Sequence, residues 1–160
     1  MRPLKAFQDY YSDDFAHCYG CGRLNEHGLK IESYWDGEES VCHFKPKPYH
    51  TGGFPGNVYG GIIASLIDCH GAGTALAATY RHQGKELGAK DPIRFVTASL
   101  HVDYLSPTPI NATLELRGKV KEIKGRKVIV AITLSVEENV CATGEVVMVQ
   151  LPDYFSSGNN

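Results

Sequence analysis

Asp68 is the only Asp, Glu, Lys or Arg in the run from Val58 to Tyr80, VYGGIIASLIDCHGAGTALAATY, whose other residues are mostly apolar or small. A carboxylate held among Ile, Leu and Ala is desolvated, which raises its pKa and suits it to work as a general base or a carboxylate nucleophile. Gly60 and Gly61 stand where the run begins. The first N–H groups of a helix have no intrahelical acceptor and carry the positive end of its dipole, so they can hold charge that develops on a carbonyl oxygen. A carboxylate and an oxyanion site are the two parts that acyl transfer to water requires. The plainer alternative is an Asp68 that accepts hydrogen bonds from Ser65, Thr97 or the backbone, behind a glycine pair that merely opens a helix.

Two other groups of residues offer chemistry. Cys18-x-x-Cys21 has the spacing of half a zinc site, but a structural site wants four ligands and no second pair follows, although His17, His27, Cys42 and His43 are available. No helix pattern follows the motif, which argues against thioredoxin-like redox chemistry. The expectation is a tight turn, CYGCG, and no metal or other cofactor. Cys69 and His70 are adjacent, and neighbouring helix residues point about 100° apart, so they read as packing residues rather than a nucleophile–base pair.

Residues 59–80 read as one helix about 33 Å long at 1.5 Å per residue. One stripe holds Ile62, Leu66, Cys69, Gly73, Leu76 and Tyr80, and its neighbour adds Ile63, Ile67 and Ala77, so the helix is expected to be buried nearly all round. Asp68 shares the remaining face with Gly61, Ala64, Ser65, Gly71, Ala72 and Ala75, all small, which leaves room for close approach. Before the helix, residues 29–36 and 40–45 alternate about Asp36-Gly37 as a hairpin, and 46–56 form a Pro- and Gly-rich loop. After it, residues 94–105 alternate, with Val96, Ala98, Leu100, Val102 and Tyr104 on one face and Thr97, Ser99, His101 and Asp103 on the other. Further strands are expected at 113–120, 128–136 and 140–151, the first two joined by a turn at Lys124-Gly125. Short turns between successive strands imply an antiparallel sheet. The economical solution is an α+β fold in which five or six strands wrap one central helix, with self-association covering what the sheet leaves open. The organisation expected is an N-terminal arm (1–17), one domain (18–152) and a flexible tail (153–160).

At 160 residues, 42% apolar, 21% charged and with a formal net charge of −2, the chain lacks the basic excess that nucleic acid or an acidic membrane surface requires. No signal-peptide pattern opens it, and no run of about 18 apolar residues is free of Gly, Asp or His. Five cysteines, an odd number, are thinly spread and agree with a reducing compartment, so the expected location is the cytoplasm.

Three local patterns resemble a known family. Gly53-Phe-Pro-Gly-Asn-Val-Tyr-Gly-Gly followed by Ile-Ile-Ala-Ser-Leu-Ile-Asp68 is similar to a His-Gly-Gly-x6-Asp motif. Thr97-Ala-Ser-Leu-His-Val-Asp-Tyr-Leu-Ser-Pro107 is similar to a strand ending in Tyr-Leu-x-Pro. Cys18-x-x-Cys21-Gly22-x-x-Asn25-x-x-Gly28-Leu29 is similar to a box ahead of the first strand. Together they resemble the hotdog-fold acyl-CoA thioesterases, in particular the phenylacetate-pathway branch, over residues 17 to 151. The resemblance implies a hotdog fold, an acyl-CoA substrate, and a homodimer or dimer of dimers in which Asp68 serves a thioester held at the partner's helix entrance. It also implies that Gly60, beside Gly61, supplies the oxyanion donor and that Thr97 positions water or Asp68. The family's His at the helix entrance is Tyr59 here, and an Asn that some relatives place six residues earlier is Gly53, with Asn57 only two residues before Tyr59. Tyr59 motivates an alternative, an acyl-CoA-binding protein with little turnover. Substrate contacts are assigned to Asn57, Ser65, Arg126 and Lys127, the last two from the basic hairpin run that could meet coenzyme A phosphates; a second basic run holds Arg81, Lys85, Lys90 and Arg94.

Overall fold

The computed structural model describes residues 4–90 and 92–152. After two short 3-10 turns, Phe7–Tyr10 and Asp13–Phe15, the chain forms strands β1 (Ser33–Asp36) and β2 (Glu39–Phe44), helix α1 (Gly60–His82), and strands β3 (Phe95–Tyr104), β4 (Leu114–Lys124), β5 (Lys127–Val136) and β6 (Asn139–Gln150). The six strands pair antiparallel in the order β1-β2-β4-β5-β6-β3. This is the expected hotdog arrangement: one long helix wrapped by an antiparallel sheet. The tail expected at 153–160 lies outside the described residues.

Helix α1 packs against β3, β4, β5 and β6. Leu66 and Ile67 are fully buried and share one core with Leu116, Val130, Ile132, Leu134 and Val146. Full burial of each such side chain stabilises by about 2 kcal/mol. By length and hydropathy α1 could cross a membrane, yet 72% of its apolar window lies buried inside the protein. The face that stays partly open holds Gly61, Ala64, Ser65, Asp68 and Ala72. Gly71 and Ala75, expected on that face, are buried instead. A Cβ at Gly71 would stand 2.8 Å from Val146, so here the missing side chain lets β6 approach the helix.

The helix entrance is held by backbone. Tyr59 is the N-cap in extended geometry without a side-chain cap, and its N–H donates to the His50 carbonyl at 2.9 Å. The Val58 N–H donates to the Thr108 carbonyl at 2.8 Å. At the other end Arg81 and His82 complement the dipole, and Gly84 takes a left-handed φ of 65° just beyond the helix.

His70 is fully buried, and both its ring nitrogens are used: Nδ1 with the Ser33 hydroxyl at 2.8 Å and Nε2 with the Ser40 hydroxyl at 3.0 Å. Gln8 of the N-terminal segment donates to Ser33 Oγ at 3.1 Å and accepts the Ser33 N–H at 2.8 Å. Burial pushes the His70 imidazole down to about 4, so the ring is held neutral. The packing role expected for His70 is therefore that of a polar tie between the N-terminal segment, β1, β2 and α1.

β3 departs from the simple alternation. Its pairing with β6 shifts between Thr97 and Ser99, so one extra residue, Ala98, bulges out. Thr97 stands opposite the buried Met148 and Leu100 opposite the buried Val146, which puts both on the helix side of the sheet. The expected grouping of Thr97 with His101 and Asp103, away from the Leu100 face, is corrected by this bulge. β3 is also an edge strand, and Val96, Leu100 and Tyr104 are exposed, not sealed in a core.

Candidate active site

Asp68 and Thr97 are brought together by the helix face and the bulged strand: the Thr97 hydroxyl donates to Asp68 Oδ1 at 2.6 Å. Asp68 is half-buried, and burial raises its carboxyl above the ordinary value of 3.8. The Thr97 hydrogen bond pulls it partly back, and the Cys18 thiol adds to the rise. The pair borders a cavity of about 240 Å³ whose other walls include Tyr11, Leu76, Tyr80, Ile93, Phe95 and Met148. A mostly apolar chamber with a carboxylate and a few hydroxyls has the composition of a small-molecule site.

The glycine entrance lies elsewhere on the chain. Eight residues separate Gly60 from Asp68, about 12 Å of helix. The Ile62 and Ile63 N–H groups turn back onto the Tyr59 carbonyl at 3.0 and 3.2 Å, so the Gly60 and Gly61 N–H groups lie ahead of the helical ladder. Tyr104 donates its hydroxyl to the Gly60 carbonyl at 2.6 Å. Asn57, Gly60, Ile63 and Tyr104 line one shallow depression, separate from the cavity that holds Asp68. The Tyr59 ring lies over Gly61, where a Cβ would sit 2.3 Å from it, and is itself 56% exposed.

The remaining expected contacts are dispersed. The Ser65 hydroxyl donates within its own helix to the Gly61 carbonyl at 2.9 Å and does not meet Asp68. Arg126 donates to the Gln150 carbonyl at 3.4 Å, and Lys127 faces Glu122 at 3.9 Å; both stand at the β4–β5 turn, outside the lining of the Asp68 cavity. Arg94 does line that cavity. Its guanidinium is held by Asp14 at 2.9 Å and lies over the Phe15 ring, while its buried Nε–H has no hydrogen-bond partner among the described residues. The sequence reading put Arg94 at the start of a strand and in a basic run for coenzyme A phosphates; its proximity to Asp68 depends on Asp14 and Phe15, remote in sequence.

Cys69 was expected to be packing, but its sulfur lies 3.7 Å from that of Cys18, and Cys18, Cys21 and Cys69 all hold their sulfurs within 4.8 Å of one another. The His17, His27, Cys42 and His43 alternatives do not join them: Cys42 is buried in the core and His43 meets Glu115 at 3.0 Å.

The sequence model of the Thioesterase superfamily matches residues 55–143, more than half of the chain. The chain belongs to the Thioesterase superfamily. Among solved structures, a Thioesterase superfamily protein from Shewanella loihica PV-4 shares 49% identity with it, covering 91% of this chain and 99% of that one with a TM-score of 0.68. Acyl-coenzyme A thioesterase THEM4 of Xenopus laevis is 39% identical over 88 residues, 55% of this chain and 33% of that protein. The THEM4 of Rattus norvegicus is 30% identical over 94 residues, 59% of this chain and 34% of that protein. The chain thus spans about a third of the length of these curated relatives. The E. coli PaaI protein from the phenylacetic acid degradation operon has a TM-score of 0.62 at 16% identity, covering 78% of this chain and 81% of that one, a likeness of fold.

Proposed function

We propose that this protein hydrolyses acyl-CoA thioesters, with Asp68 as general base or nucleophile and the Gly60/Gly61 helix entrance as the oxyanion site. The observation that carries the reading is Asp68, raised by burial and held by Thr97, at the edge of an apolar cavity able to receive an acyl group. Membership of the superfamily and the curated names of the THEM4 relatives support the substrate class. In the reaction Asp68 takes a proton from water as that water's oxygen bonds to the thioester carbonyl carbon, or Asp68 bonds to that carbon itself and the mixed anhydride so formed is then hydrolysed by water. The carbonyl oxygen gains negative charge against the Gly60 N–H, and the thiol leaves as the tetrahedral centre collapses.

The two halves lie too far apart along one helix to act on one carbonyl. The proposed assembly therefore pairs two chains, so that each Asp68 faces the partner's Gly60. The exposed edge strand β3, with Val96, Leu100 and Tyr104 open, supports pairing there. This is the layout of the phenylacetate-pathway branch, and its support is the order of the three sequence patterns.

The test is thiol release from a panel of short, medium and aromatic acyl-CoAs. Asp68→Asn should lower it at least about a hundredfold; full activity in that variant removes Asp68 from the mechanism. Mixing Asp68→Asn with an inactive Gly60→Val chain should restore about a quarter of wild-type activity, because half the dimers would carry one intact site. A mixture as dead as its parts would place both groups in one chain's site.

Tyr59 favours a second reading, a binding protein with little turnover. A phenol at the entrance offers one hydroxyl where an imidazole offers two ring nitrogens, and its ring covers Gly61. Tight acyl-CoA binding without thiol release, with hydrolysis gained in Tyr59→His, would select it.

A further inference from the structure

The box Cys18-x-x-Cys21-Gly22-x-x-Asn25-x-x-Gly28 folds as a stitched turn. The Gly22 N–H donates to the Cys18 carbonyl at 2.7 Å, Leu29 N–H to the Tyr19 carbonyl at 2.7 Å, and Ile31 N–H to the Gly20 carbonyl at 3.2 Å. Asn25 donates to the His17 carbonyl at 3.1 Å and accepts the His27 N–H at 3.0 Å. A Cβ at Gly22 would lie 2.5 Å from the Ala16 carbonyl oxygen, and one at Gly28 2.7 Å from that of Tyr19. Turn geometry thus accounts for the Gly and Asn positions of the box. It does not account for the two thiols.

Those thiols point at a third. Cys69 projects from α1 into the turn, and the turn makes room for it: a Cβ at Gly20 would lie 2.2 Å from Cys69 Sγ. The Cys18–Cys69 sulfur separation is 3.7 Å, and all three sulfurs fall within 4.8 Å. Zinc–thiolate bonds of about 2.3 Å at tetrahedral angles put sulfurs about 3.8 Å apart, so one pair already stands at the edge length of such a tetrahedron. Packing alone explains the trio poorly, since Cys18 is exposed.

We propose that Cys18, Cys21 and Cys69 are the ligands of a soft divalent cation of the zinc class, whose fourth position faces the cavity that Asp68 borders. Three protein thiolates leave one position for water or another small ligand. Bound there, the ion would tie the N-terminal turn to the central helix one residue from Asp68. Because binding displaces thiol protons, affinity should rise with pH.

The experiment measures metal rather than hydrolysis, so its outcome is independent of the proposed activity. Full-length protein grown with added zinc and purified without chelators should carry about one zinc per chain by elemental analysis. Cys18→Ser, a change at an exposed turn, should lower that content at least tenfold, and Cys42→Ala should leave it unchanged. Apo wild-type protein titrated with cobalt(II) should develop the sulfur-to-cobalt absorption and intense visible bands of a four-coordinate thiolate site. Folding of each sample is checked by circular dichroism. Folded wild-type protein that takes up neither zinc nor cobalt overturns the proposal, and so does zinc fully retained in folded Cys18→Ser. A Cys18–Cys21 or Cys18–Cys69 disulfide in protein kept from oxidants also overturns it, because it would identify a redox pair.

Discussion

Thr97 Oγ1 stands 2.6 Å from Asp68 Oδ1, a hydrogen bond between a strand and a helix twenty-nine positions apart in the chain. Its direction matters. The hydroxyl donates to the carboxylate, so it stabilises the charged form and offsets part of the rise that burial imposes. Thr97→Val should therefore move the acidic limb of the pH–rate profile to higher pH, while Asp68 in wild type already titrates above the ordinary carboxylate value. Activity above that limb should fall about tenfold through loss of orientation. A profile of kcat/KM in both proteins checks this; an unmoved limb would separate Thr97 from the base.

Gly60→Ala separates activity from stability. The added methyl would meet the Tyr104 ring at 3.4 Å, a contact the fold accommodates with a small shift. Alanine is the better helix residue by up to about 1 kcal/mol, so the unfolding midpoint should hold or rise. Thioester hydrolysis should fall by about a hundredfold, because a carbonyl can no longer approach the backbone as closely. Thermal unfolding beside a thiol-release assay reads both.

His70→Ala removes the ring that the buried Ser33 and Ser40 hydroxyls share and leaves a cavity in its place. The expected cost is about 3–5 kcal/mol, from the lost packing and from one hydrogen bond lost by each hydroxyl, since Ser33 keeps Gln8 and Ser40 keeps Thr74. Urea unfolding should show a lower midpoint with a similar slope. A variant as stable as wild type would mean that the Gln8 and Thr74 contacts suffice and that the cavity closes.

His50 couples the entrance loop to pH. Burial, and then the charge of Lys47, lower its pKa below the ordinary 6.5, and its Nδ1 accepts the Lys47 N–H at 3.0 Å while neutral. With the folded value below the unfolded one, the unfolded chain binds more protons between the two values. The contribution is then complete above about pH 6.5 and is lost as pH falls through the folded value. His50→Asn, which accepts without titrating, should unfold with less loss of midpoint between pH 7 and pH 5 than wild type.

The fold was legible because its signals are local. The apolar run from Ile62 to Tyr80, the alternation of Val128, Val130, Ile132 and Leu134, and the turns at Gly37 and Gly125, both with left-handed φ, each constrain neighbouring residues. The Asp68–Thr97 pairing was expected through resemblance, but strict alternation put Thr97 on the wrong face because it has no means to place a bulge. The meeting of Cys69 with Cys18 and Cys21 depends on how a turn docks on a helix, and its one local trace is the glycine at position 20. Arg94 was grouped with Arg81, Lys85 and Lys90 as a basic run, but its place beside Asp68 was not legible, since its partners Asp14 and Phe15 come from the other end of the chain.

The extra residue in β3 also bears on how relatives should be compared. Phe95 and Thr97 keep one phase of the strand, whereas Leu100, Val102 and Tyr104 keep the other. An alignment that follows the hydrophobic pattern without a gap would therefore pair the Thr97 hydroxyl with outward-facing positions of an unbulged strand. Deleting Ala98 would leave Thr97 opposite Met148 and merge the two phases. A relative one residue shorter here can thus preserve the same site while appearing, column by column, to lack it.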